Sequence, residues 1–234
     1  MEVEVAVAKV GKWAVEESGD TLEMIERPRG GISFVLVDGQ RSGRAAKAIS
    51  ILVARKAIAE LSEGVRDGAA ARAAHDYLYA YKGGKVSATL NILSVDLATG
   101  TLVLSRNNPC PVLLLTPDGG LERLDEPSQP VGIYARTKPV IAEVPLRPGL
   151  RAVVYTDGLP AAGERQGASL DVPAAFLEVS ATARSAREIA DTLLERALTL
   201  EEHRPHDDIS LLVLWVRPDE GGQVRRLSVH LPIS

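Results

Sequence analysis

This sequence predicts an α+β fold: two antiparallel sheets with helices packed outside them. Three observations carry that prediction. Apolar runs of strand length recur along the chain and are joined by short turns rich in Gly and Pro. Two helical stretches follow one another early, and a third lies far downstream. Strands and helices therefore do not alternate, as a parallel βαβ sheet would require.

The elements follow in chain order. "VEVAVAKV" alternates apolar and polar residues and reads as a strand. "TLEMIERP" is a shorter strand stopped by Pro28, and "ISFVLVD" is apolar nearly throughout, as a buried central strand is. A helix then runs from a Ser42 cap to a Gly64 stop, with Ile49, Leu52, Val53 and Ala57 on its inner face. A second helix covers 69–82 and ends at Gly83-Gly84. "SATLNILSVDLATGTLVLSRNN" is a hairpin turning at Gly100, and "PVLLLTPDGGLERL" is another turning across Asp118-Gly119-Gly120. "KPVIAEVPL" and "RAVVYTDG" add two strands around the turn "RPGL". Ser185 and Glu188 form a capping box for a helix from 186 to about 201. "DISLLVLWVRP" is a further buried strand, and "QVRRLSVHLPI" closes the chain.

Composition narrows the function. At 234 residues and 45% hydrophobic, with no repeat and no linker-like shift, the chain reads as a single domain over 1–234. Its net charge of -4 and lack of a basic block argue against a nucleic-acid partner. No apolar stretch reaches the roughly 20 residues of a membrane span, and the acidic, alternating N-terminus is unlike a signal peptide. The single cysteine, Cys110, excludes an intrachain disulfide and a thiolate metal cage. It reads as a buried structural thiol, and the expected setting is cytoplasmic.

The chemistry sits where strands meet loops. Phe34 to Val37 runs into Asp38-Gly39, and "RAVVYTDG" ends at Asp157-Gly158. Asp207-Asp208 opens a strand, and Asp20, with Glu23 nearby, precedes one. Singly, each is a turn or a solvated strand entry. Jointly, they place carboxylates at one rim of a sheet sandwich, where mutual repulsion calls for a cation. Oxygen-only ligands select Mg²⁺ or Mn²⁺, and no His/Cys spacing suggests zinc. His206, beside Asp207, reads as a supporting group, an acid or a solvated loop histidine.

The order "SGD", "VDG" with "SG", "TDG", "DDISLLVL" resembles the bacterial SpoIIE-type serine phosphatases of the metal-dependent PPM (type-2C) superfamily, over about residues 15–217. "QPVGIY" and "VPLRPGLRAVVYTDGL" add to the likeness. The resemblance implies an αββα sandwich holding two Mn²⁺ or Mg²⁺ ions and hydrolysing phosphoserine or phosphothreonine with a metal-activated water. By the family's pattern Asp38 bridges the metals and the Gly39 carbonyl ligates one of them. Asp157 and Asp207 hold the other, and Asp20 completes the Gly39 side unless Glu23 does. The implied substrate is a phosphorylated STAS-domain protein, either an anti-sigma factor antagonist or a stressosome-type regulator. With no room for a sensor domain, the chain is most similar to the stand-alone feedback phosphatases.

The sequence also departs from that pattern. Where relatives read Gly-His-Gly or Gly-Asn-Gly, residues 41–43 are Arg-Ser-Gly. Glu16 occupies the position at which the eukaryotic branch carries a phosphate-binding Arg, so Arg41 and Arg44 become the candidate phosphate ligands. The altered loop also supports an alternative, a non-catalytic PPM-fold binding or regulatory module.

Overall fold

The protein, as a computed structural model, is described for all residues except 29, 219, 220, 222, 223, 231, 233 and 234. Among the described residues, ten strands form two five-stranded antiparallel sheets. One sheet has the order β1 (Glu2–Val10), β10 (Ile209–Arg217), β9 (Arg151–Tyr155), β6 (Val112–Leu115), β7 (Leu121–Leu124). The other has the order β2 (Asp20–Glu26), β3 (Ile32–Gly39), β4 (Ala88–Asp96), β5 (Thr101–Asn107), β8 (Val140–Pro145). Helices α1 (Gly43–Ser62) and α2 (Asp67–Lys82) cover the second sheet, and α3 (Val172–Thr182) and α4 (Ala186–Leu200) cover the first.

Strand periodicity builds the layers. Phe34 and Leu36 point between the sheets, against Val154, Leu212 and Leu214, whereas Val35 and Val37 point at Val53 and Ala57 of α1. Both faces of β3 are buried, which is why its sequence does not alternate. Leu211 and Val213 likewise turn outward onto Ile189 and Leu193 of α4. The expected αββα arrangement is thus the observed one. No helix among the described residues is long and apolar enough to cross a membrane.

Several elements differ from expectation. Ser42 stands at the N-cap of α1, but its hydroxyl makes no capping bond. The second helix begins two residues earlier, at Asp67. Strands β8 and β9 do not pair with each other: the "RPGL" turn carries the chain from one sheet to the other, because β8 pairs with β5 and β9 with β10. The capping box of α4 is displaced at one end. Ser185 Oγ accepts from the Glu188 N–H at 3.0 Å, but Glu188 Oε2 accepts from the Arg184 N–H at 2.8 Å.

Helix α3 was not expected at all. Asp171 Oδ1 caps it by accepting the Ala174 N–H at 3.0 Å, and Pro173 sits in its first turn. Its burial of Phe176 and Val179 contributes roughly 1.5–3 kcal/mol per side chain. Of the closing "QVRRLSVHLPI", residues 224–230 have no regular structure and Leu227 and Val229 are exposed; Gln223, Leu231 and Ile233 lie outside the described residues.

Candidate metal and phosphate site

The strand ends bring the candidate carboxylates to one end of the sandwich. Asp20 and Asp38 are direct cross-strand partners at the matched ends of β2 and β3. They share the row of Leu22, Leu36 and Phe34, so both carboxylates face the space between the sheets. Glu23 is three residues from Asp20 in the strand and therefore on the opposite face. Asp157, just past β9, and Asp207, just before β10, reach the same end from the other sheet. A cavity of about 450 Å³ opens there, and Asp38, Asp157, Asp207, Arg41, Lys12 and Asn108 are among its lining residues.

Asp20 lies behind this lining, 1% exposed. Its Oδ2 accepts the Thr156 hydroxyl at 3.1 Å, a bond that crosses from one sheet to the other. Its Oδ1 is buried without a partner. Lys9 and Lys47 donate to its backbone carbonyl at 2.5 and 2.6 Å, so two ammonium groups sit beside the acidic cluster. Burial, then Lys47, holds the Lys9 ammonium below the usual lysine range.

Electrostatics show how unfavourable the carboxylate set is alone. Burial pushes the Asp38 carboxyl up to about 9, helped by repulsion from Asp20, Asp157 and Asp207. Burial likewise lifts Asp20 to about 6, with repulsion from Asp208 adding to it. Asp157 is raised by burial and then by Asp207. Among the described residues no three His, Cys, Asp or Glu side chains are already drawn in to metal-ligand spacing. The donor set nonetheless suits a hard divalent cation: oxygen only, mutually repelling, with one buried carboxylate oxygen unpartnered. Opposite Gly39, Ala88 turns its N–H to the Val131 carbonyl rather than to β3.

Asp208 does different work from Asp207. It is 4% exposed, and its two oxygens accept the Lys12 N–H at 2.9 Å and the Gly19 N–H at 2.8 Å. It clamps both ends of the loop that leads into Asp20. Glu201 clamps the other rim. Its Oε1 accepts the Gly163 N–H at 2.6 Å, while Oε2 accepts the His206 N–H at 2.8 Å and meets His206 Nδ1 at 2.7 Å. His206 is thus held as a supporting group for the Asp207 loop. Asn108 joins the frame by donating from Nδ2 to the Tyr155 carbonyl at 3.1 Å. Glu201 and Asn108 were missed, and Asp208 and His206 were singled out without their partners, because single polar residues in loops announce no partner. The side-chain row Leu212, Ser210, Asp208 was the one readable signal.

The two arginines part company. Arg41 lines the cavity and keeps a left-handed backbone, φ +77°. That conformation costs a non-glycine residue about 1–2 kcal/mol. Arg44 does not reach the cavity lining; it is exposed and pairs with Glu16 at 2.9 Å. Cys110 is half-buried: it lines the cavity and also packs against the core shared by the first sheet and helices α3 and α4. Burial, then the Asp157 and Asp38 carboxylates, pushes its thiol up to about 12.

Comparison with known proteins agrees with this geometry. The family model for stage II sporulation protein E (SpoIIE) matches residues 28–217. No curated protein matches the chain. Among solved structures, the fold is similar to the PP2C phosphatase domain and regulatory fragment of the cell fate determinant SpoIIE from Bacillus subtilis. That match has a TM-score of 0.79 and 18% identity, over 92% of this chain and 64% of that one. It is similar to the RsbU and RsbW domains of a Mycobacterium tuberculosis protein, at TM-score 0.72 and 23% identity, over 92% and 60%. It is also similar to the catalytic domain of the serine/threonine protein phosphatase PstP in complex with two manganese ions, at TM-score 0.70 and 19% identity, over 92% and 99%. The chain thus spans less than two thirds of the first two structures' lengths.

Proposed function

Since the chain belongs to the SpoIIE family, we propose that it is a metal-dependent protein serine/threonine phosphatase. The observation that carries the reading is the cavity itself, where Asp38, Asp157 and Asp207 converge around the same space as Arg41 and Lys12. Asp38, Asp157, Asp207, Asp20 and the Gly39 carbonyl are the groups that would hold two Mn²⁺ or Mg²⁺ ions. When bound, such ions supply an activated water and neutralise phosphoryl oxygens. The chain's own residues do the rest. Thr156 and the two lysines fix Asp20, Asp208 and Glu201 fix the loops around it, and Lys12 and Arg41 offer cations to the incoming phosphate.

The substrate we assign is a phosphorylated STAS-domain protein of a partner-switching pathway, an anti-sigma factor antagonist or a stressosome-type regulator. The likeness to an RsbU domain supports that class, and it implies a cytoplasmic location. A panel of phosphorylated STAS domains assayed for phosphate release identifies the member.

The test of the metal is removal. With Mn²⁺ the protein hydrolyses p-nitrophenyl phosphate; in EDTA it does not. Mn²⁺ at a hundredfold its Kd also stabilises the fold by about 2.7 kcal/mol, read as a rise in Tm. Full activity in EDTA sinks the metal mechanism. A chain that neither binds Mn²⁺ nor turns over would be the binding module instead.

Arg41→Gly tests the phosphate contact. Glycine takes the left-handed backbone without strain, so the variant gains about 1 kcal/mol of stability. Loss of a charge-assisted bond worth roughly 1.5–3 kcal/mol lowers kcat/KM on a phosphoprotein about 10- to 100-fold. Mn²⁺ affinity by calorimetry is unchanged. A stabilised variant with wild-type kinetics removes Arg41 from the phosphate site.

A further inference from the structure

Lys12 lines the cavity, and the next residue, Trp13, is 58% exposed. An indole is a large apolar surface with one polar edge, the kind of group that anchors protein contacts. This one is firmly mounted. The Trp13 backbone N–H donates to the Pro205 carbonyl at 2.8 Å, and the Arg204 guanidinium lies 5.5 Å from the ring centroid. Asp208 holds the adjoining Lys12 N–H. Trp13 and Arg204 therefore stand on the two loops that lead to Asp20 and Asp207.

The backbone around them is held in an uncommon shape. Ala14 (φ +60°), Glu202 (φ +51°) and His203 (φ +55°) are three of the four non-glycine residues with positive φ among the described residues. Each costs about 1–2 kcal/mol. Ala14 follows the tryptophan, and Glu202 and His203 precede the arginine, so the strain is concentrated where the rim presents this pair.

We propose that Trp13 and Arg204 form the docking surface for the polypeptide flanking the phosphorylated serine or threonine of a protein substrate. The proposal rests on the phosphatase reading and adds where the rest of the substrate sits. Two features choose this occupant. The surface is continuous with the cavity through Lys12 and through the loop of Asp207. Its cations, Lys12 and Arg204 with Arg41 across the mouth, complement an anionic phosphorylated segment. The indole face takes an apolar side chain beside the phosphoresidue, and the stacked guanidinium keeps its edge for carbonyl or carboxylate groups.

The test compares a small substrate with protein substrates, all with Mn²⁺ and the full chain. The probes are p-nitrophenyl phosphate, serine-phosphorylated casein and the phosphorylated STAS domains. Trp13→Ala lowers kcat/KM on phosphoproteins at least about tenfold, mostly through KM, and leaves p-nitrophenyl phosphate within about twofold. Trp13→Phe, which keeps a ring, recovers most of the loss. Equal losses on small and protein substrates overturn the proposal and make Trp13 structural. Unchanged phosphoprotein kinetics overturn it too, as does a wild type that hydrolyses p-nitrophenyl phosphate but no phosphoprotein. A wild-type dimer that Trp13→Ala converts to monomer assigns the indole to a second copy instead. A wild type inactive on every probe brings down the phosphatase reading first, and the docking surface with it.

Discussion

Asp38→Asn abolishes turnover, with a loss of at least about 10³-fold, and at the same time stabilises the metal-free protein. The two effects have one cause. Asp38 is the carboxylate on which burial, Asp20, Asp157 and Asp207 all act in the same unfavourable direction. By itself the fold prefers it neutral; only a bound cation makes its charge an asset. A folded-state value of about 9 lies far above the roughly 3.9 of an unfolded aspartate. The stability linked to Asp38 is therefore fully present below pH 4 and is lost as pH rises through 9. Asparagine removes that loss. In EDTA at pH 8 the variant melts about 2–6 °C above wild type, the scale of a relieved 1–2 kcal/mol in a chain of this size. With Mn²⁺ the order reverses, because wild type gains the binding energy and the variant does not. Loss of transition-state stabilisation by several kcal/mol gives the rate effect. Differential scanning fluorimetry in EDTA and in Mn²⁺, beside p-nitrophenyl phosphate kinetics, reads all three. A variant that melts lower in EDTA, or still gains Tm from Mn²⁺, refutes the role of Asp38.

Much of this was legible in the sequence because it depends on local pattern. The unbroken apolar run from Phe34 to Val37 marked a strand covered on both faces, and Asp38, Asp157 and Asp207 stood out as carboxylates at strand ends. Long-range pairing was not legible. That β8 and β9 belong to different sheets depends on partners about 35 to 60 residues away, not on the turn between them. Helix α3 was hidden because its 11 residues carry a proline in the first turn and follow an irregular loop. At the site, Thr156 and Asp208 were invisible as anchors, since their partners Asp20, Lys12 and Gly19 are more than 130 residues distant. That Asp20 and Glu23 lie on opposite faces follows once β2 is known to pair with β3.

Gly39→Ala destabilises the protein by about 3 kcal/mol or more, and the reason corrects the first reading of the Asp-Gly pair. Gly39 is not in a turn; it is the last residue of β3, and its backbone is not left-handed. What it needs is space. A Cβ there would lie 2.0 Å from the Ala46 carbonyl oxygen and 2.7 Å from its carbon, so α1 must move away from the strand. Gly158 repeats the arrangement, with a Cβ 2.1 Å from the Asp208 carbonyl oxygen. Overpacking typically costs about 1–3 kcal/mol, and a collision with helix backbone belongs at the upper end or beyond. At 3 kcal/mol the melting point falls by about 6–12 °C. Gly100→Ala is the control: no atom lies within 4 Å of its Cβ, so it costs only the left-handed backbone, about 1 kcal/mol. A second-site change separates backbone from side-chain collision. A Cβ on Gly19 would also meet Ala46, but at its Cβ, 2.7 Å away. Ala46→Gly therefore relieves Gly19→Ala beyond its own cost of about 1 kcal/mol. It cannot relieve Gly39→Ala, because the carbonyl oxygen remains. Rescue of Gly39→Ala by Ala46→Gly would show that β3 meets α1 through side chains after all. Failure of that rescue, with Gly19→Ala restored, shows that the glycine after Asp38 is there to let helix and strand backbones touch, which is what brings Asp38 and Arg41 into one cavity.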